Sequence, residues 1–212
     1  MKEGPGPAGS TRPQAVVFDV GRVLIEWDLR HLFAKLIDDP DRLDWFLANV
    51  VTEQWHYQHD AGRPLDEMLP ELKALHPDHE PLIDAYRARF LETIPHKVPG
   101  TFALVERLAE RGVPMFALTN FGAEFWAQYH ATEPLLRHFR DIVVSGEEGC
   151  LKPDPCFYAI AEERFGLPGA ALLFTDDKQD NIDAAAGRGW HTHLFTEAAG
   201  LEARLIAEGL LD

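Results

Sequence analysis

Ala15-Val16-Val17-Phe18-Asp19-Val20-Gly21-Arg22-Val23-Leu24 begins as an unbroken apolar run, ends that run on one carboxylate, and carries glycine two residues further on. Four apolar residues bounded by polar ones suit a buried strand, and the glycine lets backbone approach a ligand closely. Asp19 therefore sits at a strand tip and is the first candidate for chemistry. A lone acid there ordinarily marks only the end of a strand, so its meaning depends on what the rest of the chain brings beside it.

Beyond Pro99-Gly100 the pattern alternates between strand and helix. Strands are predicted over 113–118, 141–144, 171–174 and 191–195, and helices over 101–110, 125–129, 155–165, 181–187 and 201–208. Thr101 is placed to cap its helix, and Gly112 and Gly166 to close theirs. Buried apolar strands alternating with amphipathic helices imply an α/β fold with a doubly wound, parallel, Rossmann-like sheet. Between Asp28 and Lys97 only helical periods occur: Leu29, Leu32, Phe33, Leu36; Leu43, Phe46, Leu47, Val50; Leu65, Met68, Leu69, Leu72; Ile83, Tyr86, Phe90, Leu91. About four helices follow, with Phe33, Trp45, Phe46 and Phe90 as their aromatic core. The expected organisation is a core of residues 14–27 and 98–212 interrupted by an all-helical cap at 28–97. The Gly-, Pro- and Ser-rich segment 1–13 is expected to be a disordered leader.

The 212 residues carry a formal net charge of -15 with no basic run to offset it, which argues against nucleic acid or an anionic membrane as partner. An anionic small molecule would need a local cation. Cys150 and Cys156 lack metal-knuckle spacing and read as free thiols of a reducing, cytoplasmic compartment. No apolar run reaches the ~18 residues of a membrane span. Monomer and homodimer both stay open.

In parallel sheets ligands bind beyond the carboxyl ends of the strands. The residues there form a set: Asp19, Thr119-Asn120, Lys152-Pro153 and Thr175-Asp176-Asp177. Carboxylates converging on one rim raise one another's pKa unless cations intervene. Lys152 and a hard divalent metal would remove the conflict, and oxygen-only ligands favour Mg²⁺ over zinc. A metal on Asp19 and Asp177 could bind a phosphoryl oxygen while Thr119 and free N–H groups near Asn120-Phe121 hold others. Asp19 keeps an oxygen to attack phosphorus.

With the motifs Phe18-Asp19-Val20-Gly21-Arg22-Val23, Leu118-Thr119-Asn120, Lys152-Pro153 and Phe174-Thr175-Asp176-Asp177-Lys178-Gln179-Asp180-Asn181 in this order, the chain resembles the haloacid dehalogenase-like hydrolases with a helical cap after the first motif. That resemblance implies a Mg²⁺-dependent phosphatase of a small phosphorylated metabolite. Asp19 would be the nucleophile and form an aspartyl-phosphate, Lys152 would pair with the acids, and Thr119 and Asn120 would hold phosphate. Asp19, Asp176, Asp177 and the Gly21 carbonyl would hold the metal.

The departure is the side chain at position 21, where most phosphatases of the family carry a second Asp as acid and base. Such help is worth roughly 10²–10⁴-fold. A subgroup with glycine there includes sugar 1-phosphate phosphatases, whose hemiacetal leaving group needs little protonation, so a hexose 1-phosphate is the expected substrate. Alternatively a cap residue substitutes: Glu53, His56 and His59 are placed on a helix facing the core. His56 and Trp55 are expected to contact substrate, Trp55 by stacking on a sugar ring. A 2-haloacid dehalogenase is the alternative activity, disfavoured by the acidic pair, and a non-catalytic phosphometabolite-binding protein is the third. His56 and His59 lack a third ligand for a metal, His191 and His193 read as strand-edge residues, and Arg63 as solvated. Asn181 is expected to cap its helix or to position Asp177.

Overall fold

In the computed structural model, which describes residues 12–212, the run Ala15–Phe18 is wholly buried and forms β1. It pairs in parallel with β4 (Met115–Thr119) and β6 (Leu172–Asp176), and these pair outward with β5 (Asp141–Val144) and β7 (His191–Leu194). The order is β5-β4-β1-β6-β7. Phe18 stands level with Ala117 and Thr175, so Asp19, the end of β4 and Asp176 reach one edge of the sheet together. The Asp19 N–H donates to the Thr175 carbonyl at 2.9 Å, which carries the pairing to the acid itself.

Helices α1 (Leu29–Phe33), α2 (Pro40–Asn49), α3 (Glu53–Asp60), α4 (Leu65–Leu75) and α5 (Glu80–Ala88) form the segment inserted after the first strand. The remainder are α6 (Thr101–Glu110), α7 (Ala123–His130), the one-turn α8 (Ser145–Glu148), α9 (Pro155–Phe165), α10 (Gln179–Gly187) and α11 (Ala198–Ala207). Side chains alternate across a strand. Val17, Phe116 and Phe174 accordingly join Phe157, Tyr158 and Trp190 on one face. On the other, Val16 and Phe18 join a larger core that runs unbroken into the insertion through Leu32, Phe46, Tyr86 and Phe90. Phe90 stacks on Phe125 of α7 at 3.6 Å between ring centres, sealing insertion to sheet layer.

Several sequence expectations need correction. The insertion has five α-helices among the described residues: the four apolar stripes omit α3, the polar helix that carries Glu53, His56 and His59. Two-residue strands β2 (Ile25–Glu26) and β3 (His96–Lys97) pair antiparallel at its neck, too short to leave a pattern. Trp45 is 48% exposed and does not belong to the aromatic core. Gly100, with φ 85°, precedes α6, and Thr101 turns its hydroxyl back to the Val98 carbonyl instead of capping. Of the expected leader, residues 1–11 lie outside the described ones; Pro13 is buried and the Gln14 N–H donates to the Ala171 carbonyl. Cys150 and Cys156 are not free: they form a disulfide with 6.7 Å between Cα atoms. The turn that carries Lys152 folds back on itself, bringing together two sulfurs whose sequence spacing predicts nothing.

Gly122, just before α7, faces the His59 ring of α3 so closely that a Cβ would collide with it. Gly122→Ala is expected to lower stability by about 1–3 kcal/mol, as overpacking does. Gly187→Ala, at a helical position with nothing within 4 Å of an added Cβ, should leave stability unchanged or raise it. Urea unfolding of the two variants checks the contrast; equal effects would mean that α3 does not rest on Gly122.

Candidate active site

Lys152 is the centre of the charged cluster. It is 2% exposed, and its Nζ lies 2.9 Å from Asp19 Oδ1 and 2.8 Å from Asp176 Oδ2. The Asn120 side chain clamps the lysine backbone from both sides: Nδ2 donates to the Lys152 carbonyl at 3.0 Å, and Oδ1 accepts from its N–H at 2.9 Å. Asn120 thus positions Lys152, and its amide is already engaged. Asp176 is fully buried and accepts from Lys152, the Lys178 N–H and Asn181 Nδ2, the last touching both carboxylate oxygens. Asn181 holds Asp176, not Asp177, and Lys178 occupies the cap position of α10.

Asp19, Asp176 and Asp177 each offer a carboxylate oxygen within 4.8 Å of the others. Burial raises the Asp19 pKa; Lys152 opposes that, and Asp176 and Asp177 add to it. Asp177 is likewise raised, by burial and by Asp176. Burial works against the Lys152 charge, but the two carboxylates prevail and hold its pKa high. Lys152 is shared between Asp19 and Asp176, and Arg22 and Lys178, which also act on Asp177, are engaged by Glu53 and Tyr57, so a divalent cation fits among the three acids, and the all-oxygen donor set suits a hard one. The Val20 N–H and Lys152 both engage Oδ1 of Asp19, which leaves Oδ2 the less engaged of its two oxygens. Thr119 is fully buried at the end of β4 with its hydroxyl unpartnered among the described residues, as an anion-binding hydroxyl would be. The Phe121 N–H, expected free for phosphate, is instead donated to Ser145 Oγ at 3.0 Å.

Helix α3 closes the site from the insertion. Positions 53, 56, 57 and 60 share one face of a helix, and His56, Tyr57 and Asp60 line the same cavity of about 50 Å³ as Asp19, Lys152 and Asp177. Glu53 binds Arg22 at 2.6 Å, and Tyr57 shares a hydrogen bond with Lys178. Arg22, Lys152 and Lys178 supply the local cations that the acidic chain required for an anionic ligand. His56 is stacked between Trp27, at 4.9 Å, and Phe90, at 5.7 Å, and shares a 2.6 Å hydrogen bond with the Tyr86 hydroxyl.

Trp55 does not reach the cavity. Neighbouring residues on a helix diverge by about 100°, so with His56 facing inward Trp55 packs edge-on against Tyr86 at 5.0 Å. Trp27 takes its place. His59 also turns away, its Nδ1 at 2.9 Å from the Arg63 carbonyl and its ring against Phe125. Gly21 lines the cavity, and an added Cβ would meet nothing within 4 Å, so no protein backbone requires glycine there. Arg22, Trp27, Tyr57, Asp60 and Lys178 were missed from sequence. The spacing of Tyr57 and Asp60 behind Glu53 and His56 was the available signal.

A family model of haloacid dehalogenase-like hydrolases matches residues 13–189, and the chain belongs to that family. It is 24% identical over 207 residues to acyl-CoA dehydrogenase family member 10 of Mus musculus, covering 87% of this chain but only 18% of that protein. With the sesquiterpene phosphatase astK of Aspergillus oryzae it shares 26% identity over 181 residues, 83% of this chain and 86% of the relative. Its fold is similar to that of a family enzyme of Bacteroides thetaiotaomicron solved with magnesium and inorganic phosphate, with TM-score 0.67, 19% identity, and coverage of 87% and 95% of the two chains. No helix among the described residues is long and apolar enough to cross a membrane.

Burial pushes the His56 pKa from 6.5 down to about 3, so the folded ring stays neutral. An unfolded chain takes up that proton as pH falls below 6.5, while the fold refuses it until about 3. The His56 contribution to stability should therefore fall on acidification, by up to about 1.4 kcal/mol per pH unit within that window. Urea unfolding at pH 7 and pH 5 should show wild type losing more than His56→Gln; parallel losses would refute the buried neutral ring.

Proposed function

We propose that the protein is a Mg²⁺-dependent phosphomonoesterase of small metabolites that works through an aspartyl-phosphate on Asp19. The observation that carries this is the cluster of Asp19, Asp176 and Asp177 within 4.8 Å, with Lys152 wedged between the first two. Asp19, Asp176 and Asp177, with the Gly21 carbonyl, would hold the metal, which when bound neutralises charge on a phosphoryl group. Asp19 Oδ2 attacks phosphorus while Lys152 keeps Asp19 ionised and oriented. Thr119 Oγ1 donates to a phosphoryl oxygen, and the alcohol departs. The similarity to a phosphatase and to an enzyme solved with magnesium and phosphate supports the same reading. An acidic metal-binding pair has no task in halide release.

The cavity of about 50 Å³ is small beside ordinary ligand pockets of roughly 300–1,000 Å³. It suits the phosphoryl group. Two classes of alcohol are supported by different observations. The missing acid at Gly21 favours a sugar 1-phosphate, whose hemiacetal oxygen leaves readily. Trp27, Phe90 and Phe121 around the cavity favour an apolar alcohol.

A panel of hexose 1-phosphates, prenyl phosphates and short alkyl phosphates, assayed with and without Mg²⁺, should show metal-dependent release of phosphate. Asp19→Asn should abolish it. A 2-haloacid should release no halide; metal-independent halide release, or inactivity toward every ester, would overturn the proposal.

A further inference from the structure

We propose that Asp60, at the end of α3, is the general acid and base of this site, taking the task for which Gly21 has no side chain. This inference rests on the phosphomonoesterase reading and adds a catalytic residue to it. Asp60 is 2% exposed, reaches the core from the insertion, and lines the cavity that Asp19 and Lys152 also line. Two contacts pin it over the loop that follows Thr119. The Gly122 N–H donates to its carboxylate, and Ser145 Oγ donates to its backbone carbonyl at 2.5 Å, holding at the same time the Phe121 N–H.

One carboxylate oxygen is left over. Asp60 Oδ1 is buried without a hydrogen bond among the described residues; its neighbour His56 Nε2, on a neutral ring, lies 3.4 Å away and does not form one. A buried carboxyl oxygen without a partner is costly and calls for an explanation. Structural anchoring uses the backbone carbonyl, through Ser145, and the carboxylate's contact with Gly122, so anchoring does not explain the free oxygen. A proton-transfer site does, because the partner is then the substrate. The charged and titratable groups around it are His56 on its own helix, Tyr86 on α5, Asp19 after β1, Lys152 before α9, and Lys178 before α10. Burial is the largest influence and raises the Asp60 pKa to about 7, against the lowering effects of the Gly122 N–H and Lys178. Both protonation states are thus accessible near neutrality, which proton transfer in both directions requires.

The steps balance. An Asp19 carboxylate oxygen bonds to phosphorus as the P–O bond to the alcohol breaks, and the departing oxygen takes the proton of Asp60, giving free alcohol and an Asp60 carboxylate. That carboxylate then takes a proton from water as the water oxygen attacks phosphorus. The bond to Asp19 breaks, inorganic phosphate leaves, and both acids return to their starting states. With Asp60 in this role, alkyl phosphates with poor leaving groups come within reach.

Asp60→Asn keeps an oxygen for the Gly122 N–H but cannot exchange a proton. In rapid-mixing experiments with Mg²⁺, the variant should release about one equivalent of nitrophenolate per site from p-nitrophenyl phosphate in a fast burst and then stall, because this phenol leaves unaided but the aspartyl-phosphate is not hydrolysed. With propyl phosphate it should show no burst, and kcat should fall roughly 10²–10⁴-fold. The burst amplitude counts folded, competent sites, so partial misfolding of the variant does not mimic the result. Unchanged turnover, or equal slowing on both esters without a burst, would overturn the role of Asp60 while leaving the phosphatase reading intact. A wild type inactive on both esters would overturn both.

Discussion

A single ammonium, that of Lys152, lies between two carboxylates that no water-exposed arrangement could hold so close. Its contacts of 2.9 Å to Asp19 and 2.8 Å to Asp176 join the tips of adjacent strands through a residue from a third part of the chain. Removing such a charge from a buried cluster leaves the remaining acids unpaired, which is far more costly than losing a surface ion pair. The surroundings accordingly over-determine its position. Asn120 fixes its backbone, Asn181 and the Lys178 N–H complete the shell of Asp176, and the Cys150–Cys156 disulfide brackets the turn that carries it.

Even so, the cluster is not electrically complete. Burial first, and the neighbouring acids after it, keep Asp19 and Asp177 above their ordinary pKa values, and a hard divalent cation relieves that tension. Register explains why the acids meet: β1 and β6 end level, so Asp19 and Asp176 are neighbours by sheet geometry alone.

The other wall of the site is made by a helix of a different character. Helix α3 is polar along its length, yet three of its residues on one face are buried or half-buried against the sheet edge. His56 accepts that burial by remaining neutral between Trp27 and Phe90, Tyr57 by accepting a hydrogen bond from the Lys178 ammonium, and Asp60 by a raised pKa. Gly21 is opposite in kind: its surroundings leave open space for a side chain that the chain does not supply. An absent carboxyl on the sheet side and, on the insertion side, a carboxyl with one oxygen unpartnered among the described residues are complementary features of one cavity.

Local chemistry made much of this legible in the sequence. Buried parallel strands read as apolar runs, each stopped by a polar residue, so Asp19, Thr119 and Asp176-Asp177 could be found at strand ends, with β1, β5 and α9 read to the residue. Helices with one apolar stripe were equally plain. What tertiary structure alone decided lies where no periodic signal exists. Helix α3 has no stripe because its buried face is a polar site face, so Asp60 was not singled out and Trp55 read as a stacking residue. The two-residue strands at the neck are too short for a pattern, and the cysteines meet only because a turn reverses between them. Contacts between a helix and a sheet edge distant in sequence depend on packing, and packing is a property of the whole chain rather than of any stretch within it.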